Sequence, residues 1–230
     1  MKQPVLACSK AVYKRANLAS FLGVPVIYAP TATAAERQQA QAVIAWGRKP
    51  SAEQAEQVAQ ELVLPLWRLE DGFIHSLGQG VLGAESYSLV VDQQGIYYDA
   101  TGPSDLEQLL ATDAQQALND PMLLKRAEQL IHGITSQQVS KYNNAPLDVS
   151  ALHLPAGKKV LVVDQTAGDM SLKYGLVDEH SAEAMLEAAL AEHPDAHILL
   201  KTHPDVLAGK KQGCFPVDLQ HPRIHWVTQA

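Results

Sequence analysis

Short, continuous apolar runs alternate along this chain with stretches of helical periodicity, and that alternation constrains the fold more than any other feature. Val24–Tyr28, Ala42–Trp46 and Leu64–Leu69 are each bounded by Gly, Pro or charge and read as buried strands. Between them lie Thr33–Gln41 and Ser51–Val63. The second follows Pro50 and places Ala55, Val58, Ala59 and Leu62 at helical spacing, with Ser51 as its expected N-cap. Strand, helix, strand in succession implies crossovers and therefore a parallel sheet with helices on its faces.

Beyond this first stretch, Tyr87–Val91 and Ile96–Tyr98 flank the Gly-containing segment Asp92–Gly95, which predicts a hairpin. Pro103–Leu110 and Met122–Ser140 are expected to be helical. Asn143–Lys158 contains Pro146, Pro155 and Gly157 without periodicity and reads as a linker. A second module then opens with the strand Val160–Val163, continues through a helix at Ser181–Glu192 to the strand His197–Leu200, and ends on a β-like run, Ile224–Val227. The expected organisation is α/β, with one Rossmann-like domain over residues 1–145 and the start of a second over 158–230.

Composition narrows the function classes. With 47% apolar residues in 230, a sizeable core is available and a disordered or fibrous chain is excluded. Eighteen Lys and Arg against 25 Asp and Glu give a net charge of −7, so no global positive field exists to hold nucleic acid. Cys8 and Cys214 stand far apart without a CxxC or Cys/His cluster, which suggests neither a disulfide framework nor a zinc site; no metal or cofactor is expected. A cytoplasmic setting fits. The first 18 residues lack the apolar core and cleavage site of a signal peptide, and no apolar stretch approaches the roughly 18–20 residues of a transmembrane helix.

In open α/β sheets, ligands sit outside the carboxyl ends of strands, and three groups of residues fall there. Glu70 and Asp71 end the third strand, with Gly72 freeing the backbone behind them. Paired acids there suit proton transfer; a charged, solvated turn is the plainer reading. Asp164 directly follows the strand Val160–Val163 and opens the loop Gln165–Ser171, in which Thr166 and Ser171 carry hydroxyls around Gly168. That arrangement suits a nucleophile with phosphate donors, or equally the local backbone hydrogen bonds of a βα connection. Lys201 and His203, two apart at a strand end, are expected on one side, where they suit a phosphate or carboxylate. The alternative is a surface Lys and a hydrogen-bonded His. Gly78, Gly80 and Gly83 match GxGxxG, but no buried strand precedes them and no helix follows, so a dinucleotide fingerprint is not indicated.

The segments AWGRKPSA (45–52), LEDGF (69–73), SLVVD (88–92), GIYYDATGPSDLE (95–107), VLVVDQTAGDMSLKYG (160–175) and LLKTHPDVLAGKKQGCF (199–215) resemble, in order, the KpsC-type capsule polysaccharide synthesis family. That resemblance implies a GT-B-like architecture of two Rossmann-like domains, the first acceptor-side and the second holding the nucleotide sugar. It implies a retaining β-Kdo glycosyltransferase of Gram-negative capsules that uses CMP-β-Kdo at the inner face of the inner membrane. The implied acceptor is lipid-linked, such as a Kdo-bearing phosphatidylglycerol-type primer, with capsule assembly proteins as partners.

Retention by double displacement needs a carboxylate nucleophile and a group to manage the acceptor proton. On this resemblance Asp164 is the nucleophile candidate and Glu70 the acid/base candidate, with Asp71 raising its pKa by like-charge repulsion. His203 joins them as a catalytic candidate, while Lys201, Thr166, Gly168, Asp169, Ser171 and Arg48 are candidates for substrate binding. His75 and Ala167 depart from the family pattern, each standing where an Arg is usual, at a cost in positive charge for an anionic donor. The chain also ends earlier than is usual, so the second domain is expected to be truncated. The rival reading is an inactive fragment that acts as an interaction module.

Overall fold

A computed structural model describes residues 2–74, 76, 86–112, 117–140, 148–178, 180–216 and 218–228. The chain forms two compact units, Met1–Asn144 and Ala145–Ala230.

The first unit is built on strands β1 (Val5–Ala7), β2 (Val26–Tyr28), β3 (Ala42–Trp46), β4 (Leu66–Asp71) and β5 (Leu89–Asp92), in the order β2-β1-β3-β4-β5. Its first four strands are parallel, and β5 runs antiparallel to β4. Every residue of β3 is buried, as expected of a central strand covered on both faces. Alternation then assigns the faces. Leu6, Val43 and Ala45 pack on Ala55 and Ala59 of helix α4 (Glu53–Leu62), while Val5, Ala7, Ile44 and Trp46 meet Val12 of α1 (Lys10–Tyr13) and Leu18 of α2 (Leu18–Leu22). Among the described residues, this unit also holds helices α3 (Ala34–Gln39), α5 (Asp105–Thr112) and α6 (Pro121–Ser136). A reciprocal capping box between Thr33 and Glu36 opens α3.

Two local expectations are corrected. Ser51 does not cap α4, because Pro50–Ala52 forms a 3₁₀ turn and the helix begins at Glu53. Nor do residues 87–98 form a hairpin. The carboxylate of Asp92 accepts hydrogen bonds from the backbone N–H of Gln94 (3.0 Å), Gly95 (2.7 Å) and Asp105 (3.2 Å). These bonds wrap the chain around the end of β5, so Ile96–Tyr98 forms a turn instead of a returning strand.

The second unit holds β6 (Lys159–Val163), β7 (His197–Lys201) and β8 (Ile224–Val227), parallel and in that order. Helices α7 (Met170–Tyr174) and α8 (Ser181–Glu192) lie between β6 and β7, and the single turn α9 (Pro204–Leu207) follows β7. Leu186 of α8 covers Val162, Ile198 and Leu200, and Phe215 completes that core. Arg223 ties the helix end to the sheet by donating to the carbonyls of Leu190 and His193, both at 2.8 Å. Among the described residues, no helix is long and apolar enough to cross a membrane.

Candidate functional site

In the second unit the site grows from the carboxyl end of β6. Residues 165–167 run antiparallel to 212–214, through Ala167 N–H to the Gln212 carbonyl (2.8 Å), Cys214 N–H to the Gln165 carbonyl (3.2 Å) and a Thr166–Gly213 bridge. Asp164 is sealed beneath this pairing. It is 1% exposed, and its Oδ1 accepts the backbone N–H of Cys214 at 2.9 Å. Gly213 presses on the same carboxyl so closely that a Cβ there would lie 3.2 Å from its Cγ and nearer still to Oδ2.

Gly168 takes φ +74°, the left-handed region that lets the loop turn into α7. Asp169 caps that turn, accepting from the Ser171 N–H and hydroxyl, both at 3.0 Å, while Thr166 donates to it at 3.3 Å and Lys211 approaches at 3.5 Å. Burial pushes the Asp169 carboxyl up, but its bonds to Ser171 and the Lys211 charge outweigh that and hold it below the usual carboxylate range. An open cavity of about 830 Å³ lies against this loop, lined by Gln165, Gly168, Asp169, Ser171, Lys173 and Met185 among others. Its volume suits a small-molecule ligand. Asp164 is absent from its lining.

The end of β7 differs from expectation. The strand stops at Lys201, whose Nζ donates to the Thr202 carbonyl at 3.1 Å, and His203 is the N-cap of α9, its Nδ1 accepting from Asp205 N–H at 3.1 Å. Because the backbone leaves the strand between them, two-residue alternation does not apply to this pair. Thr202 is a residue the sequence reading missed. Its hydroxyl is buried and has no hydrogen-bond partner among the described residues.

In the first unit, Arg48, Glu70 and Asp71 gather at the carboxyl ends of β3 and β4. Glu70 Oε1 accepts from Trp46 Nε1 at 3.0 Å and from Asp71 N–H at 3.1 Å. Burial raises its pKa, and the Asp71 charge adds to that; the Asp71 N–H, Lys49 and Trp46 oppose it without cancelling it. Like-charge repulsion is thus the smaller of the two raising effects. Asp71 is paired to Arg15 at 2.6 Å. Arg48 is turned onto Asp99, donating through Nε at 2.6 Å, and lies 3.6 Å from Glu56. Tyr98 accepts the Arg48 N–H at 2.9 Å. Sequence reasoning missed Arg15, Tyr98 and Lys211, each brought in from a loop remote in sequence. His75, Gly78, Gly80 and Gly83 lie outside the described residues.

The family described as capsule polysaccharide biosynthesis protein matches residues 41–222, which include both groups of residues apart from Arg15. The chain belongs to this family. Among curated members of similar sequence, the capsule polysaccharide modification protein LipA of Neisseria meningitidis serogroup B is 45% identical over 196 residues, covering 84% of this chain and 27% of LipA. The lipopolysaccharide-processing protein LpsZ of Rhizobium meliloti is 34% identical over 174 residues, covering 75% of this chain and 39% of LpsZ. The chain therefore spans about a quarter of LipA.

Similar solved structures include two of KpsC. Thermosulfurimonas dismutans KpsC, beta Kdo 2,4 transferase, matches with a TM-score of 0.89 at 38% identity, over 100% of this chain and 69% of that one. The beta Kdo 2,7 transferase of the same KpsC matches with a TM-score of 0.57 at 27% identity, over 89% and 62%. The protein is a KpsC-type member of the capsule synthesis family, with the mixed α/β fold and parallel sheets of KpsC.

Proposed function

We propose that this chain acts in capsule polysaccharide biosynthesis as a retaining β-Kdo transferase that takes Kdo from CMP-β-Kdo to a lipid-linked, Kdo-bearing acceptor. The observation that carries the reading is the likeness of the whole chain to the KpsC beta Kdo 2,4 transferase, at a TM-score of 0.89 and 38% identity. In this reading the cavity beside Gly168 and Ser171 takes the nucleotide sugar, with the Ser171 hydroxyl and Lys173 in its lining facing the anionic groups, while Thr166 and Lys201 lie outside that lining and Asp169 fixes the loop through Ser171. Work is at the inner face of the inner membrane.

Retention proceeds in two displacements. The Asp164 carboxylate attacks the anomeric carbon and the electron pair of the broken bond leaves with the CMP phosphate. The acceptor hydroxyl then attacks the same carbon as Glu70 takes its proton, and Asp164 departs. Burial of Asp164 imposes a condition, since the Gly213–Cys214 segment has to withdraw before it attacks. Asp169 is the rival nucleophile, favoured by a carboxylate that already lines the cavity. His203 acts on the leaving phosphate, and Arg48 keeps the acceptor side in shape through Asp99.

Intact mass spectrometry after incubation with CMP-β-Kdo tests this assignment. The parent is expected to carry one Kdo adduct, retained in Asp169→Asn and Glu70→Gln and lost in Asp164→Asn. Loss of the adduct in Asp169→Asn with retention in Asp164→Asn transfers the role to Asp169. A parent that forms neither adduct nor product supports the interaction-module reading instead.

A further inference from the structure

Arg15 lies between α1 and α2, two residues beyond α1, and reaches across to the acid pair at the end of β4. Its Nη2 donates to Asp71 Oδ1 at 2.6 Å and to Ser86 Oγ at 2.5 Å, and its guanidinium carbon sits 3.8 Å from the centroid of the Trp46 ring. Trp46, 8% exposed, turns its indole N–H onto Glu70 Oε1 at 3.0 Å. A planar cation stacked on an indole face fixes the ring in a way that a flexible ammonium does not. The ring in turn fixes the carboxylate, because the Oε1 that takes the indole N–H also takes the Asp71 backbone N–H from another direction. Glu70 Oε2 lies beside the Gly47 Cα, where an added Cβ would be 2.9 Å away.

We propose that Arg15 is a positioning residue for Glu70: it locks the Trp46 indole against the carboxylate and draws the Asp71 side chain aside as its ion-pair partner. The inference rests on the reading of Glu70 as the acid/base group, and it names a residue outside every motif that carries the family resemblance. Arg15 acts through Trp46 and Asp71, and it is not itself a proton donor. Among the described residues, the charged groups that act directly on Glu70 are Asp71 and Lys49, and the Tyr98 hydroxyl stands beside Gly47. Removing Arg15 leaves the Asp71 charge without this counter-ion and the indole without its clamp. Both changes disfavour the ionised form of Glu70.

The test reads Trp46 directly, so that it does not depend on transferase activity. In Trp67→Phe/Trp226→Phe protein Trp46 is the sole tryptophan, and its emission is followed against pH. A break is expected where Glu70 ionises, above the ordinary carboxylate range, and Glu70→Gln is expected to abolish it. Arg15→Gln should move the break up by at least half a pH unit and change the emission at both extremes. Arg15→Lys, which restores charge without the planar stack, should give a smaller move in the same direction. A break in Arg15→Gln that coincides with the parent's overturns the proposal; if that variant does not fold, a parent-like break and emission in Arg15→Lys does so. With CMP-β-Kdo and acceptor, Arg15→Gln is also expected to lower kcat about tenfold, with the acidic limb of the pH profile moving with the fluorescence break. A parent without transfer but with an Arg15-dependent break rejects the functional reading and leaves the positioning intact.

Discussion

Gly213→Ala isolates the contact that seals Asp164. No backbone strain complicates it, because Gly213 is not among the residues with positive φ. The added methyl would overlap Asp164 Oδ2 and come within 3.2 Å of its Cγ, and that carboxyl is 1% exposed with Cys214 N–H as a partner at 2.9 Å. Relief requires either the carboxyl or the 212–214 strand to shift. Overpacking of this kind costs about 1–3 kcal/mol. Breaking the Cys214 bond inside a buried site costs roughly a further 1–3 kcal/mol. Partial relaxation shares these costs, so a total of about 3 kcal/mol is expected, or roughly 12–24 °C in Tm for a unit of this size. Trp226 is the only tryptophan of the second unit, so urea or thermal unfolding of Trp46→Phe/Trp67→Phe protein reports that unit alone. A Gly213→Ala loss below about 0.5 kcal/mol would refute the wedge argument, being no larger than an ordinary surface substitution.

Three other outcomes follow from the first unit. Arg48→Ala removes the cation facing Asp99, whose side chain is 2% exposed, and should destabilise by about 2–3 kcal/mol in urea titration, toward the low end for a broken buried pair because Thr101 still donates to Asp99. Val63 ends α4 in a left-handed conformation at φ +52°, 90% exposed, with the Leu64 N–H reaching back to the Ala59 carbonyl at 2.9 Å. Glycine belongs at such a Schellman position, so Val63→Gly should stabilise by about 0.5–1 kcal/mol. Glu70 has a folded pKa raised above its unfolded value, mainly by burial, so the folded state holds the extra proton between the two values and stability falls as pH rises across that window. Glu70→Gln should therefore be more stable than the parent at pH 7, with the gap closing below about pH 4, where the carboxyl is protonated in both states.

Much of the fold is legible because parallel strands buried on both faces are spelled as continuous apolar runs. Ala42–Trp46, Ser181–Glu192 and Ile224–Val227 coincide with the observed elements. Val5–Ala7 escapes the same logic because three buried residues are too few to show a period, although it is the second strand of the sheet. The false hairpin has a different cause: Ile96–Tyr98 is β-rich in composition, but three backbone N–H groups gathered on the Asp92 carboxylate decide the local path. α4 is drawn one residue too long because Val63, a β-branched residue, occupies the left-handed stop where glycine would have announced it.

At the site, positions at strand ends are readable and their surroundings are not. Asp164, Glu70 and Lys201 all fall at or beside carboxyl ends of strands, as the alternation places them. Nothing local to Asp164 reveals that Gly213 and Cys214, some 50 residues on, will cover it. Arg15 and Asp71 are likewise 56 residues apart, and their pairing exists only once β1 and β4 share a sheet. His203 reads as a strand-end partner of Lys201 until Pro204 is seen to begin a helix that needs a cap.

Product formation by the 230-residue protein itself measures the proposed Kdo transfer directly. CMP-β-Kdo and an oligosaccharide acceptor ending in Kdo are supplied, CMP release is followed, and the product is analysed by mass and by NMR at the new anomeric centre. Stoichiometric CMP release and acceptor extension by one Kdo in the β configuration are expected, with Glu70→Gln losing the extension and all CMP release beyond the one equivalent that accompanies its adduct. Donor left intact by folded protein, or an extended product of α configuration, would contradict the proposed transfer.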